Sequence, residues 1–162
     1  MESPPEFWRT VVFHPLSVHF PIVLTLLTTL FTALGLLNRK SPFLQAAYLL
    51  VWLTAASTWL AVYTGNLADG EVARTLCDPT VLKDHENAAY VIAWLTTAAT
   101  ALATLHRYRL ILRFQRWLRL SVFVLLLLSS GYVAYVGHLG ARLVYQQAAG
   151  VYQPSEDCRE FR

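Results

Sequence analysis

Charge is what this chain lacks. Asp, Glu, Lys and Arg make up 14 % of it, where soluble domains carry about a quarter. The shortage is concentrated: residues 15–37, 42–68, 87–105 and 120–141 contain none of the four. That pattern excludes a soluble globular protein. About 20 apolar residues rising about 1.5 Å each cross a hydrocarbon core of roughly 30 Å, so every run is long enough to span a bilayer. Four spans leave too little chain for a separate soluble domain. No secretory leader is expected either. Residues 1–6 are acidic and proline-containing, and no cleavage pattern follows the first apolar run, so the first helix is expected to be retained.

Acidic residues are absent from one membrane face. The loops between helices 1 and 2 and between helices 3 and 4 carry Arg39, Lys40, Arg107, Arg109, Arg113, Arg116 and Arg119, with no Asp or Glu. All ten acidic residues fall on the face that holds the termini. Dense Arg beside spans marks a cytoplasmic face, which puts both termini on the periplasmic side. Cys77 and Cys158 share that second face, where a disulfide is permitted. The sequence leaves a bond between them and two free thiols equally open.

The sequence predicts an all-α fold, an integral membrane four-helix bundle, as a single domain over 1–162 with helices about 15–37, 42–65, 79–105 and 118–148. Pro15 suits a first helical position, and Pro21 removes one hydrogen bond, which predicts a kink near Ser17. Ser41-Pro42 and Asp78-Pro79 each pair a cap with a first-turn proline. The loop from Asn66 to Cys77 is expected to turn at Gly70. Between Arg107 and Arg119 arginines alternate with apolar residues, as in a segment lying at the headgroup layer. Anionic headgroups account for this patch, so no nucleic-acid partner is expected. His106 falls in it and reads as a headgroup-level side chain.

The chemistry lies in the other four histidines. His14, His19, His85 and His138 map to the terminal half of the bundle, on helices 1, 3 and 4. Imidazoles inside membrane helices are costly unless they bind or pair. Zinc commonly takes Cys or carboxylate ligands as well, and Asp84 and Glu86 flank His85. Copper also accepts imidazoles. All-histidine ligation in an apolar bundle suits haem iron better. The expected iron ligands are His19 and His85, since up-down packing sets helices 1 and 3 on a diagonal, with His138 as the rival. His14 is expected to hydrogen-bond a propionate or a ligand imidazole. Arg142, one turn beyond His138, is the expected propionate partner, with Arg9, Arg74 and Lys83 in reserve. Four histidines allow one haem b or two. Gly131, Ala134, His138 and Ala141 share one side of helix 4, which fits either a neighbouring helix or a flat ring.

His14-Pro-Leu-Ser-Val-His19-Phe-Pro21, the histidine opening helix 3, and Gly137-His-Leu-Gly-Ala-Arg-Leu-Val-Tyr145 resemble the DUF2231 family over roughly Val12 to Val151. The resemblance implies a small four-helix protein of the bacterial inner membrane that binds b-type haem. It supplies no partner or reaction. The chain departs from the family in helix 4. Ala141 stands where a second glycine is usual, and Gln146-Gln147 where relatives often carry a basic residue and a histidine. His138 would then take the ligand role on that helix.

The resulting expectation is a multi-pass, cytochrome-like electron-transfer subunit of a respiratory chain. It would relay electrons between a quinone and a periplasmic redox partner such as a cytochrome. The rivals are a structural or assembly subunit among other membrane subunits of a respiratory complex, and a metal-binding or transport protein.

Overall fold

A computed structural model describes residues 9–38, 42–151 and 156. Among them every regular element is helical: α1 (Thr10–Ser17), α2 (His19–Leu37), α3 (Pro42–Val72), α4 (Thr80–Arg107), one 3₁₀ turn (Leu112–Phe114) and α5 (Gln115–Gln147). α1 and α2 form one rod broken at Val18. Proline has no N–H, so Pro21 cannot bond the Ser17 carbonyl. The ladder resumes with Ile22 N donating to Val18 O at 3.3 Å. The break falls at the expected kink.

The four rods Thr10–Leu37, Pro42–Val72, Thr80–Arg107 and Leu112–Gln147 are each long and apolar enough to cross a membrane. Neighbouring rods pack in chain order, and α5 returns to α2 to close a square. Neither diagonal, the first rod with α4 or α3 with α5, makes a close backbone contact. This is a four-helix membrane bundle with its two ends of chain on one face.

Two rods overrun their expected limits at that face. The first starts at Thr10, which puts Pro15 inside α1. α3 continues past Gly65 to Val72, so the loop expected from Asn66 is largely helical. The extra turns are tied to each other and to α4: Arg9 pairs with Glu71, and Asn66 Nδ2 donates to the Tyr90 hydroxyl at 2.8 Å.

Lipid is as apolar as leucine, so helices in it associate through small residues and hydrogen bonds. This chain follows that rule. Leu30, Leu49, Trp52 and Trp94 face outward, while Thr25, Thr28, Thr54, Thr96 and Ser129 are fully buried. Thr28 and Thr54 hydroxyls bond at 2.8 Å, Thr29 and Ser130 at 2.9 Å, and Thr100 donates to the Val51 carbonyl at 3.1 Å. Gly35 lets α2 lie close against α3, since a Cβ there would lie 2.9 Å from Leu44 Cβ.

Pro79, rather than the expected Asp78, takes the N-cap position of α4, but the Asp78 carboxylate still holds its first residue. The Asp78 Oδ1 accepts from Thr80 N at 3.0 Å and from Thr80 Oγ1 at 2.6 Å. These bonds, the hydroxyl's first, hold the carboxyl below the usual carboxylate range. A depressed folded-state pKa means the cap acts above that range and is lost as pH falls through it. Asp78→Ala is therefore expected to speed amide exchange at Thr80 at neutral pH, and the difference from wild type should vanish in acid. Equal exchange at neutral pH would remove the cap.

Cys77 is exposed. Cys158 lies outside the described residues, and the expected pairing with it lies there too, as does the Ser41 cap of α3.

Candidate functional site

His14 and His85 meet at the centre of the bundle, at the end that carries the termini. Their ring centroids are 6.0 Å apart with planes at 89°. They come from diagonal rods, so the rings bridge a space that no backbone crosses.

Each ring is held in the same way. His14 Nδ1 donates to the Ala61 carbonyl at 3.0 Å, and its ring lies against Gly65, where a Cβ would stand 3.2 Å from Nδ1 and Cε1. His85 Nδ1 donates to the Val136 carbonyl at 3.1 Å. Its ring lies against Gly140, where a Cβ would stand 3.3 Å from Cε1. In both hairpins the glycine follows the accepting carbonyl by one helical turn. The two halves of the bundle thus repeat one arrangement: histidine on the first rod, carbonyl and glycine on the second.

A carbonyl only accepts, so the neutral rings carry their proton on Nδ1 and keep a lone pair on Nε2. The hydrogen bonds of both rings among the described residues run through Nδ1. Ser17 and Thr64 bond each other at 2.7 Å beside His14, and the Ser17 hydroxyl also approaches the His14 carbonyl at 3.0 Å.

His19 and His138 are placed differently. Both are exposed on the outer surface of the rods. Five residues turn a helix by about 140°, so His14 and His19 cannot both face the interior. The early start of α1 makes His14 a helical residue, and the bundle takes it rather than His19. The histidine that faces His85 is therefore not the one expected. On α5, Gly131, Ala134, His138 and Ala141 do share a face, but it points away from the bundle. The glycine that makes room for an imidazole is Gly140, and the imidazole is that of His85. Arg142 Nε donates to Gln146 Oε1 at 3.3 Å. Arg9 is paired with Glu71, and Lys83 bonds Glu86 at 2.7 Å.

The donor set can be compared with the candidate ligands. Two imidazoles sharing one metal ion at about 2.0 Å per bond have ring centroids about 6 Å apart. Among the described residues no three His, Cys, Asp or Glu side chains lie close enough to share an ion. A structural zinc site needs four such ligands and a catalytic one three. Two imidazoles from opposite walls are the kind of donor set that would hold a haem, and no backbone contact joins α1 and α5 beside them.

A family model described as "Predicted membrane protein (DUF2231)" matches residues 10–153. The chain belongs to the DUF2231 family. No curated protein and no solved structure matches it. In this DUF2231 protein the match takes in all four rods and both facing histidines. Neither Gly65 nor Gly140 stands out in the sequence as part of a site. Their signal is a repeated small-residue spacing, Ala61 to Gly65 and Val136 to Gly140, one turn apart beneath each ring. His106, expected as a headgroup-level side chain, bonds and stacks on Tyr48, at 5.8 Å between centroids.

Proposed function

We propose that this DUF2231 protein is a b-type haem protein of the bacterial inner membrane, in which His14 and His85 would hold the haem, and that it carries electrons. The observation behind this reading is the opposed pair of imidazoles, each oriented through Nδ1 with Nε2 left over. When bound, a haem with two imidazole ligands supplies one-electron transfer and has no open iron position for oxygen chemistry. The chain's own groups do the rest. The Ala61 and Val136 carbonyls fix each ring and raise the basicity of its Nε2. Val81 and Ala88, on the His85 side of α4, and Leu139 of α5 are buried and exclude water. Arg142 lies towards the aqueous end, where propionates need a cation.

The acid-free arginine segment orients the bundle with both termini in the periplasm. Electrons would then pass at that face, between a quinone in the bilayer and a periplasmic redox protein. A reporter fused to the C-terminus is expected to be active only in a form that requires export, and activity of a cytoplasm-only reporter would reverse the orientation.

The deciding experiment is a reduced-minus-oxidised spectrum of purified protein with haem quantification. About one haem per chain and a low-spin band are expected. A colourless protein would leave the two histidine–carbonyl bonds as purely structural and favour a subunit of a larger complex.

A further inference from the structure

The two hairpins, the first rod with α3 and α4 with α5, repeat one pattern well beyond their histidines. His14 and Thr29 on the first rod are spaced as His85 and Thr100 are on α4. Val51, Ala61 and Gly65 on α3 are spaced as Leu126, Val136 and Gly140 are on α5. One kind of contact then joins the halves twice. Thr29 Oγ1 approaches the Leu126 carbonyl at 3.2 Å, and Thr100 Oγ1 the Val51 carbonyl at 3.1 Å. The fully buried Thr25 and Thr54 of one half likewise match Thr96 and Ser129 of the other. Repeats that cross a membrane in the same direction are related by an axis along its normal. The seam between α3 and α4 therefore has a twin between α5 and the first rod.

The two seams differ at the histidine end. Between α3 and α4, Trp59 Nε1 donates to Thr97 Oγ1 at 2.9 Å, and Asn66 bonds the Tyr90 hydroxyl. The Trp94 and Tyr90 rings stand edge-on to Trp59, with centroids at 5.2 and 6.3 Å. At the equivalent positions the other seam carries Ala134 for Trp59, Ala141 for Asn66, His19 for Tyr90 and Val23 for Trp94. All four are exposed. Among the described residues the bonds of this seam stop at Thr29 and Ser130, and no backbone contact joins α1 and α5. His138, also exposed, lies between Ala134 and Ala141 on α5. Counted along the rods from the Thr29–Leu126 contact, His19 and His138 are nearly level. Imidazoles exposed on a membrane helix are costly without a partner.

We infer that this open seam takes the ring of a quinone from the bilayer. The ring fills the place that the Trp59 indole fills in the other half, against the small side chains of Ala134 and Ala141. Its carbonyl oxygens accept N–H bonds from His19 and His138, so each imidazole gains the kind of polar partner that Tyr90 has in Asn66. A lipid acyl chain would fill the same space but leave both imidazoles unpaired. The ligand class rests on the electron-carrying reading, which needs a redox partner soluble in the bilayer. The seam and its two histidines do not depend on haem.

The test photolabels the full chain in phosphatidylcholine nanodiscs with a short-chain azido-ubiquinone, and records the haem spectrum and the particle mass of the same samples. Wild type is expected to label saturably, on α5 or the first rod, and to be protected by unlabelled ubiquinone. Ala134→Trp gives this seam the side chain of its twin and should abolish labelling. Ala98→Trp, on the exposed side of α4, should leave it intact. His19→Ala and His138→Ala should each raise the concentration for half-maximal labelling by about tenfold, as for one lost hydrogen bond, with the haem spectrum unchanged. Labelling of a colourless His85→Ala protein upholds the site without haem. No saturable labelling, or unchanged labelling in Ala134→Trp, overturns the site, and a low-spin spectrum in that sample leaves the haem reading standing. Loss of haem in Ala134→Trp means that the seam holds the haem edge, and a change from dimer to monomer means that a second copy covers it. Either result overturns the quinone. Should Ala134→Trp not fold, His19→Tyr with Ala141→Asn rebuilds the polar pair of the twin seam, and unchanged labelling there also overturns the site.

Discussion

His85→Ala, purified from membranes, is expected to lose the low-spin haem signal, and His14→Ala is expected to do the same. The two rings stand in equivalent positions: each is on the first rod of its hairpin, and each is fixed through Nδ1 to a carbonyl of the second rod. Removing either leaves one imidazole and a gap on the opposite wall, so the result is a five-coordinate haem or none. Losing an outer hydrogen bond to a ligand typically costs about 10–100-fold in affinity, and losing the ligand itself costs more. His19→Ala and His138→Ala are expected to leave the spectrum intact, because both side chains are exposed outside the bundle. The comparison separates three outcomes. A normal spectrum in His85→Ala refutes the axial role of His85. Loss in His19→Ala with retention in His14→Ala restores the pairing read from sequence. Four normal spectra leave the histidines as structural hydrogen-bond donors.

The contrast between His14 and His19 shows how far the sequence carries. Charge-free runs gave the four spans, because length and composition alone decide whether a helix can cross lipid. Pro21 gave the break at Val18, because a missing N–H has a fixed consequence four residues back. The diagonal placing of the first and third rods followed from up-down packing, and the facing pair does come from them. What composition does not give is rotation of a rod about its own axis. His14 and His19 lie on different faces, and the choice between them depends on where α1 starts. A start at Pro15 leaves His14 outside the helix; the start at Thr10 puts it on the inner face, against Gly65. The same limit applies to α5, where Gly131, Ala134, His138 and Ala141 share a side that proves to be the outer one. Small residues mark a face that something approaches, but not whether that thing is another helix, a ring or lipid.

Glycine substitutions on α3 and α5 are expected to divide sharply by position. At Gly65 a new Cβ would lie 3.2 Å from two atoms of the His14 ring, and at Gly140 it would lie 3.3 Å from His85 Cε1. Neither ring can retreat freely, because its Nδ1 is bonded to the carbonyl one turn away. Gly65→Ala and Gly140→Ala must therefore stretch that bond or tilt the ring, and crowding of this kind costs about 1–3 kcal/mol. Tilting also moves Nε2, so haem retention is expected to fall by about 10–100-fold, as for a lost orienting hydrogen bond. At Gly131 and Gly137, on the same helix as Gly140, a Cβ would meet nothing within 4 Å. Ala at those sites should instead stabilise α5 by up to about 1 kcal/mol through helix propensity alone, with the spectrum unchanged. Thermal unfolding and haem content of the four variants would be measured together. Equal behaviour at all four positions would mean that Gly65 and Gly140 do not cradle the rings. Destabilisation at Gly65 and Gly140 in a protein without haem would keep the cradle, and the histidine pair would then serve the bundle alone.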